Sequence, residues 1–407
     1  MAKLRIRMYR TGFGDCFLLS FGPARSARHI LIDFGAHMHG EIGTMEPIMD
    51  NIEKETNRNL AVVVASHAHR DHISGFGKFA DRFAGFEVGE VWLPWTDDPN
   101  DAKARAIQKK QLALYDRLDA HLRMQLGARK PNPQQAAALD ALANLRGNGA
   151  ATSALANGFG TGATVRYLGG GDDLKSVANV PGLSAKILGP SRDKAFLSRM
   201  NPPKDQRFLS APGEPAAEVH PFLQFEMRSR DADFKEIVEK SQQPVVPSRE
   251  LKYLQQLAEV PADRLALVLD SVRNNTSLVI LFRHQSRTLL FPGDAQWGNW
   301  QSWINADGAH ELLSDLDFLK VAHHGSENAT PVDVVSALKH KGLAAMVSTQ
   351  VKPFPTIPRM PLLAELRKHC GVVMRSDWIS VKDAPKGPKA KFPKGGKRGT
   401  LWIEYEM

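Results

Sequence analysis

The stretch Leu60-Ala61-Val62-Val63-Val64-Ala65, followed at once by Ser66-His67-Ala68-His69-Arg70-Asp71-His72, decides how this chain is read. A β-branched apolar run that stops at polar residues predicts a buried strand ending in a turn. Three imidazoles and a carboxylate so close together converge only if the backbone turns sharply there, and together they form a metal-binding donor set. The bland alternative is a solvated polar loop. With only 14 histidines in 407 residues, three of them beside an aspartate at fixed offsets are a poor match to it.

Other segments follow the same strand-then-turn logic. Thr288-Leu289-Leu290-Phe291-Pro292-Gly293-Asp294 is a short apolar strand stopping at a Gly-Asp turn. Leu316-Asp317-Phe318-Leu319-Lys320-Val321-Ala322 alternates in strand fashion and runs into His323-His324-Gly325-Ser326. Thr164-Val165-Arg166-Tyr167-Leu168 and residues 183–188 read as strands of the same body, the first ending at Gly169-Gly170-Gly171. Three glycines in a row invite a phosphate-loop reading, but no Gly-Lys-Ser/Thr follows them. The opening Met1-Ala2-Lys3-Leu4-Arg5-Ile6-Arg7-Met8 alternates apolar and basic side chains like an edge strand.

A chain of 407 residues has length for two average domains, although sandwich folds often run past ~200 residues as one. We read a single domain over residues 1–407 with insertions. Residues 97–160 form a helical insertion, with Leu112, Tyr115, Leu118 and Leu122 at helical spacing and Pro131 and Pro133 punctuating two helices. Residues 191–261, rich in prolines and charges, form an irregular excursion or lid with a helix near 248–258. Residues 382–399 carry Lys382, Lys386, Lys389, Lys391, Lys394, Lys397 and Arg398 among prolines and glycines, between strand-like 378–381 and 400–405. That composition packs no core and reads as a basic loop, either tracking a nucleic-acid backbone or simply solvated.

Hydrophobic content of 43% supports a full core, and no apolar run approaches the ~20 residues that span a bilayer. No apolar h-region or small-residue cleavage site follows the first residues, so the expected location is cytoplasmic, without a membrane partner. Cys16 and Cys370 are too few for a disulfide framework and read as buried thiols. A net charge of +9 favours polyanionic partners, nucleic acid first among them. Oligomeric state is not legible.

The pattern His67-x-His69-x-Asp71-His72 resembles the signature of the metallo-β-lactamase superfamily. Within it the likeness is greatest to the branch containing the nuclease domain of the bacterial competence channel ComEC and the choline-phosphate esterases of cell-wall teichoic acid. Gly12-Phe13-Gly14-Asp15-Cys16-Phe17-Leu18-Leu19, His29-Ile30-Leu31-Ile32-Asp33-Phe34-Gly35, Asn274-Asn275-Thr276-Ser277-Leu278-Val279 and His323-His324-Gly325-Ser326 carry that likeness. It covers roughly residues 1–95 and 265–380. The resemblance implies an α/β fold, an αββα sandwich with metal ligands on loops at one edge. It also implies that His67 and His69 hold a first ion, that Asp71 and His72 hold a second, and that one of His323 and His324 completes the second. The other histidine of that pair would meet substrate phosphate or give a proton to the leaving group, so Asp71, His323 and His324 are the candidate catalytic residues.

Imidazole and carboxylate donors without thiolates suit Zn²⁺ and Mn²⁺, and two such ions need one bridging oxygen ligand, for which Asp294 is the natural choice. Many members of the superfamily have a histidine in the stretch where this chain has Asn274-Asn275-Thr276-Ser277, and the ComEC-like branch, like this chain, shows Asn there. The missing imidazole weakens the first site for Zn²⁺ and favours a harder ion such as Mn²⁺. Asp33 and Asp15 are better placed to orient ligand imidazoles than to bind metal, with turn formation an equal alternative for Asp15. The expected chemistry is hydrolysis by a dinuclear metal-activated hydroxide, acting on a phosphodiester of nucleic acid. A small phosphoester or other small-molecule ester is the alternative substrate, and a metal-binding regulatory subunit without catalysis is the alternative class.

Overall fold

The apolar run ahead of the histidine cluster is a strand, β4 (Asn59–Val64), buried from its second residue onward. Val62 and Val64 pack towards a second sheet, whereas Val63 packs under helices. A strand covered on both faces needs apolar side chains on both, so it reads as a continuous run rather than an alternation. A computed structural model describes residues 3–37, 45–126, 130–132, 135–136, 138–139, 142–143, 148–177, 179–208, 273–350, 356–379 and 395–407.

Strands β1 (Leu4–Tyr9), β2 (Cys16–Phe21), β3 (Arg28–Phe34), β4, β5 (Glu87–Pro94) and β6 (Thr164–Leu168) lie side by side in chain order. The next strands, β7 (Asp173–Leu174), β8 (Leu183–Gly189), β9 (Val279–His284), β10 (Arg287–Phe291), β11 (Phe318–Lys320), β12 (Ala344–Val347) and β13 (Val372–Arg375), make the second sheet. The chain then returns to the first sheet with β14 (Gly396–Arg398) and β15 (Trp402–Glu406), the latter pairing with β1. Strands β3 to β6 are mutually parallel, as are β10 to β13. Parallel neighbours need crossovers, and helices such as α1 (Glu46–Thr56) and α2 (Arg70–Lys78) supply them on the outer faces.

Three apolar layers hold this together. Phe17, Ile32, Val64 and Trp92 of the first sheet meet Ile280, Phe282, Phe291 and Phe318 of the second. Outside the first sheet, Ile48, Met49, Phe76 and Phe83 cover Leu18, Leu31 and Val63. Outside the second, Trp300, Leu313, Leu362 and Leu366 cover Leu281, Leu290 and Leu319. The result is the αββα sandwich expected from the resemblance. Among the described residues no helix is long and apolar enough to cross a membrane.

Several local expectations need correction. Strand β1 is not an edge, because β2 and β15 flank it. Its alternating arginines face a covered polar layer instead: Arg7 is buried, pairs with Glu404 at 2.7 Å and Glu55 at 3.0 Å, and lies 4.0 Å over the Trp402 ring. Leu112 is 59% exposed while Tyr115, Leu118 and Leu122 on the same helix, Ala102–Leu126, are buried. Spacing finds a stripe but not its limits. Trp378 lies in a 3₁₀ turn, Ser376–Trp378, rather than a strand, and β11 is only three residues long. Of the basic segment, 395–399 are described, with Lys397 and Arg398 on β14. The helix expected near 248–258, most of the excursion 191–261, and parts of the second helix after Pro131 fall outside the described residues.

Candidate metal centre

Strand β4 stops at Val64, and Ser66 turns the chain towards α2. The Asp33 carboxylate anchors that turn: Oδ1 accepts the Ser66 N–H at 2.7 Å and Oδ2 accepts the Ser66 hydroxyl at 2.7 Å. Asp33 itself sits at φ 55°, a left-handed conformation that aspartate tolerates better than most residues. His69 is the extended residue before α2, which places Asp71 and His72 in the first helical turn and His67 and His69 on the loop ahead of it. Asp294 follows Gly293 after β10. His323 and His324 follow β11 in a 3₁₀ turn where both are left-handed, with φ 44° and 55°. Two successive left-handed residues send their imidazoles to different neighbours.

Backbone approach around α2 is unusually close. A Cβ on Gly35 would stand 2.3 Å from the Asp71 carbonyl carbon and from the His72 nitrogen. The neighbouring loop locks the same turn, since Asp15 N–H donates to the Asp71 carbonyl at 2.9 Å and Gly35 N–H donates to the Asp15 carbonyl at 3.0 Å.

Asp71, His72, Asp294 and His324 form the convergent set: one donor atom from each lies within 4.8 Å of the others, and all four residues are buried. Asp294 Oδ2 is 3.0 Å from His72 Nε2 and 3.5 Å from His324 Nε2, and His324 Nε2 is 3.2 Å from Asp71 Oδ2. The remaining members flank this set. His67 Nε2 lies 2.9 Å from His69 Nδ1, with the His67 ring 4.2 Å from that of His72. His323 Nε2 is 3.9 Å from Asp294 Oδ2 and 3.4 Å from Asn274 Nδ2, while its Nδ1 lies 2.9 Å from the Ser326 hydroxyl. The geometry therefore separates the two adjacent histidines, placing His324 in the donor set and His323 beside it.

Partners behind the rings fix the tautomers. His324 Nδ1 is 3.0 Å from the Ser348 carbonyl oxygen, which only accepts, so Nδ1 carries a proton and Nε2 faces the cluster. His72 Nδ1 is 2.8 Å from Asp33 Oδ2 and is oriented the same way. Among the described residues, Asp71 Oδ1 is buried without a hydrogen-bond partner. Electron-pair donors gathered in this way, each steadied from behind, fit a divalent cation.

The field agrees with that fit. Burial opposes charge on His72, but Asp294, Asp33, Asp71 and Asp15 outweigh it and hold its pKa well above the usual value. His324 is raised likewise, with Asp294 and Asp71 overcoming burial. Asp294 and Asp71 are held low despite burial, chiefly by His72. Burial pushes His69 down to about 3 and His323 to about 4, leaving neutral rings with a lone pair to offer.

Sequence reasoning missed Lys320, whose buried Nζ touches Asp294 Oδ1 at 3.1 Å, the Gly293 carbonyl at 2.7 Å, and Asp15. The available signal was a lone lysine in an apolar strand directly before paired histidines. Ser348 carried no signal, because its contribution is a backbone carbonyl. Asp33 orients His72 directly, whereas Asp15 pairs with Lys320 and stands 3.8 Å from His72 Nδ1. Truncating Asp33→Ala strands the Ser66 amide and frees the His72 ring, so metal affinity should fall about 10–100-fold. Calorimetric titration with Zn²⁺ or Mn²⁺ checks this, and an unchanged affinity would show that His72 needs no support.

No model of a known protein family matches the chain, and no curated protein is similar to it in sequence. Among solved structures, the metallo-beta-lactamase fold protein YhfI from Bacillus subtilis is similar with a TM-score of 0.36 and 9% identity, over 91% of this chain and 95% of that one. At that level the likeness transfers no activity and no residue role.

Proposed function

We propose that the chain is a metal-dependent hydrolase that binds two divalent ions, Zn²⁺ or Mn²⁺, and cleaves a nucleic-acid phosphodiester. The observation that carries the reading is the convergence of Asp71, His72, Asp294 and His324 from distant parts of the chain onto one buried point. His67, packed against His72 and His69, and His323, 3.9 Å from Asp294 Oδ2, bring further imidazoles beside that point, which supports a second ion sharing Asp294. Bound divalent ions supply Lewis acidity and a nucleophile at neutral pH. The chain's own residues set the geometry: Asp33 and the Ser348 carbonyl hold the His72 and His324 rings, and Ser66 ties Asp33 to the ligand loop. His323, outside the convergent set, is the imidazole left to meet a phosphate oxygen or to give a proton to the leaving oxygen.

The substrate assignment rests on charge and on the resemblance. A net charge of +9 favours a polyanion, and Lys397 and Arg398 extend basic character onto β14 at the margin of the first sheet. The test is cleavage of single- and double-stranded DNA and RNA with Mn²⁺ or Zn²⁺, comparing the native chain with Asp71→Ala. Expected is metal-dependent cleavage that falls by more than about 100-fold in the variant, because a ligand should matter more than the groups behind it. Stoichiometric bound metal without cleavage of any nucleic acid would overturn the substrate and bring small phosphoesters forward. A chain that takes up no metal would overturn the hydrolase reading.

A further inference from the structure

Lys320 ends β11 on the face that Phe318 shares with the layer between the sheets, so its side chain reaches the metal centre from beneath. It is 2% exposed. An ammonium has three protons, and three acceptors meet this one: the Gly293 carbonyl, Asp294 Oδ1 and Asp15 Oδ2. A cavity of about 10 Å³ beside it, lined by Asp15, Asp33, Ser66 and apolar residues, has room for roughly one water.

Two donor groups can be drawn in this region, and they share His72. One is the convergent set already described, and the other is Asp15, Asp33 and His72. The second is already committed, because the His72 Nδ1 proton goes to Asp33 and Asp15 goes to Lys320. Asp294 is divided in the same manner. Its Oδ1 faces the ammonium, and its Oδ2 faces His72, His324 and His323 at 3.0, 3.5 and 3.9 Å.

We infer that Lys320 is a positioning residue of the metal centre: its ammonium holds Asp294 Oδ1 and withdraws Asp15, so that Asp294 presents a single oxygen to the ions. This rests on the metal-centre reading above and adds to it how the Asp294 carboxylate is constrained. Without the ammonium, Asp294 would be free to offer both oxygens to a bound ion, whose coordination number would then rise.

Cobalt(II) reports that change directly, because its visible absorption weakens as coordination expands from tetrahedral. The experiment loads the native chain, Lys320→Met, and the double variant Lys320→Met with Asp15→Asn with Co²⁺, recording visible spectra, bound metal and melting temperature. Expected is a several-fold weaker visible band in both variants. The double variant should regain part of the thermal stability lost in Lys320→Met, since one stranded buried carboxylate has been neutralised. If Lys320→Met does not fold, the double variant carries the spectral test. Native-like spectra in variants that bind cobalt would overturn the inference alone and leave Lys320 a purely structural pair. Absence of cobalt uptake by the native chain would remove the metal centre itself, and this inference with it.

Discussion

Asp294→Ala is expected to abolish the metal centre, with affinity for Zn²⁺ or Mn²⁺ falling by well over about 100-fold and hydrolysis falling with it. Among the described residues no other carboxylate faces as many imidazoles, with His72, His324 and His323 all within 3.9 Å of its Oδ2. The fold should suffer as well. Lys320 loses one partner but keeps Asp15, so the destabilisation should be about 3 kcal/mol, the lower end for breaking a buried pair. Metal analysis of the purified variant and urea unfolding separate the two effects. Native metal content with native stability would mean that Asp294 neither binds nor pairs as its position implies.

Gly35→Ala should rank next, although Gly35 is not placed among the metal ligands. The added Cβ would stand 2.3 Å from the Asp71 carbonyl carbon and the His72 nitrogen, and 2.5 Å from the Asp71 carbonyl oxygen. All of these are backbone atoms, so no side-chain rotation relieves the clash. The first turn of α2 has to move, and it carries two members of the donor set. The expected cost is on the order of 1–3 kcal/mol of stability for overpacking, together with a metal affinity at least about 10-fold weaker. Gly85→Ala is the matching control, because its new Cβ meets only the Arg82 carbonyl at 3.4 Å, an ordinary contact. Equal behaviour of the two variants in unfolding and metal titration would refute the role given to the close approach.

How far the site was legible follows from what each residue's signal depends on. Asp294, His323 and His324 stood out because each sits where an apolar strand pattern stops, and such stops lie at the same edge of a sandwich when strands run parallel. The structure brings Asp294 and the two histidines to one place for that reason, β10 and β11 being parallel neighbours, and Asp294 and His324 converge there with Asp71 and His72. Telling the surroundings of His323 from those of His324 needed distances to Asp294 and Asp71, which no spacing encodes. Lys320 was invisible as a partner because alternation assigns a face without saying what stands opposite, and Asp15 is 305 positions earlier in the chain (320 − 15). The interior position of β1 was hidden likewise, since its second neighbour, β15, comes from the far end of the sequence. The burial of Arg7 was hidden too, because its partners Glu55, Glu404 and Trp402 are distant in sequence. On the Ala102–Leu126 helix the spacing located Tyr115, Leu118 and Leu122 in the interior but extended the stripe one turn too far, to Leu112.

The left-handed pair His323 and His324 sets stability against the role proposed for them. A left-handed conformation costs a residue other than glycine about 1–2 kcal/mol, and here two such residues adjoin. Glycine at either position would relieve that cost and delete an imidazole in the same step. A library of variants ranked by thermal tolerance alone would thus reward the loss of two imidazoles beside Asp294. Selection for heat resistance and selection for turnover pull this turn in opposite directions, so any stabilisation campaign on the protein should hold both positions fixed and seek its gains elsewhere.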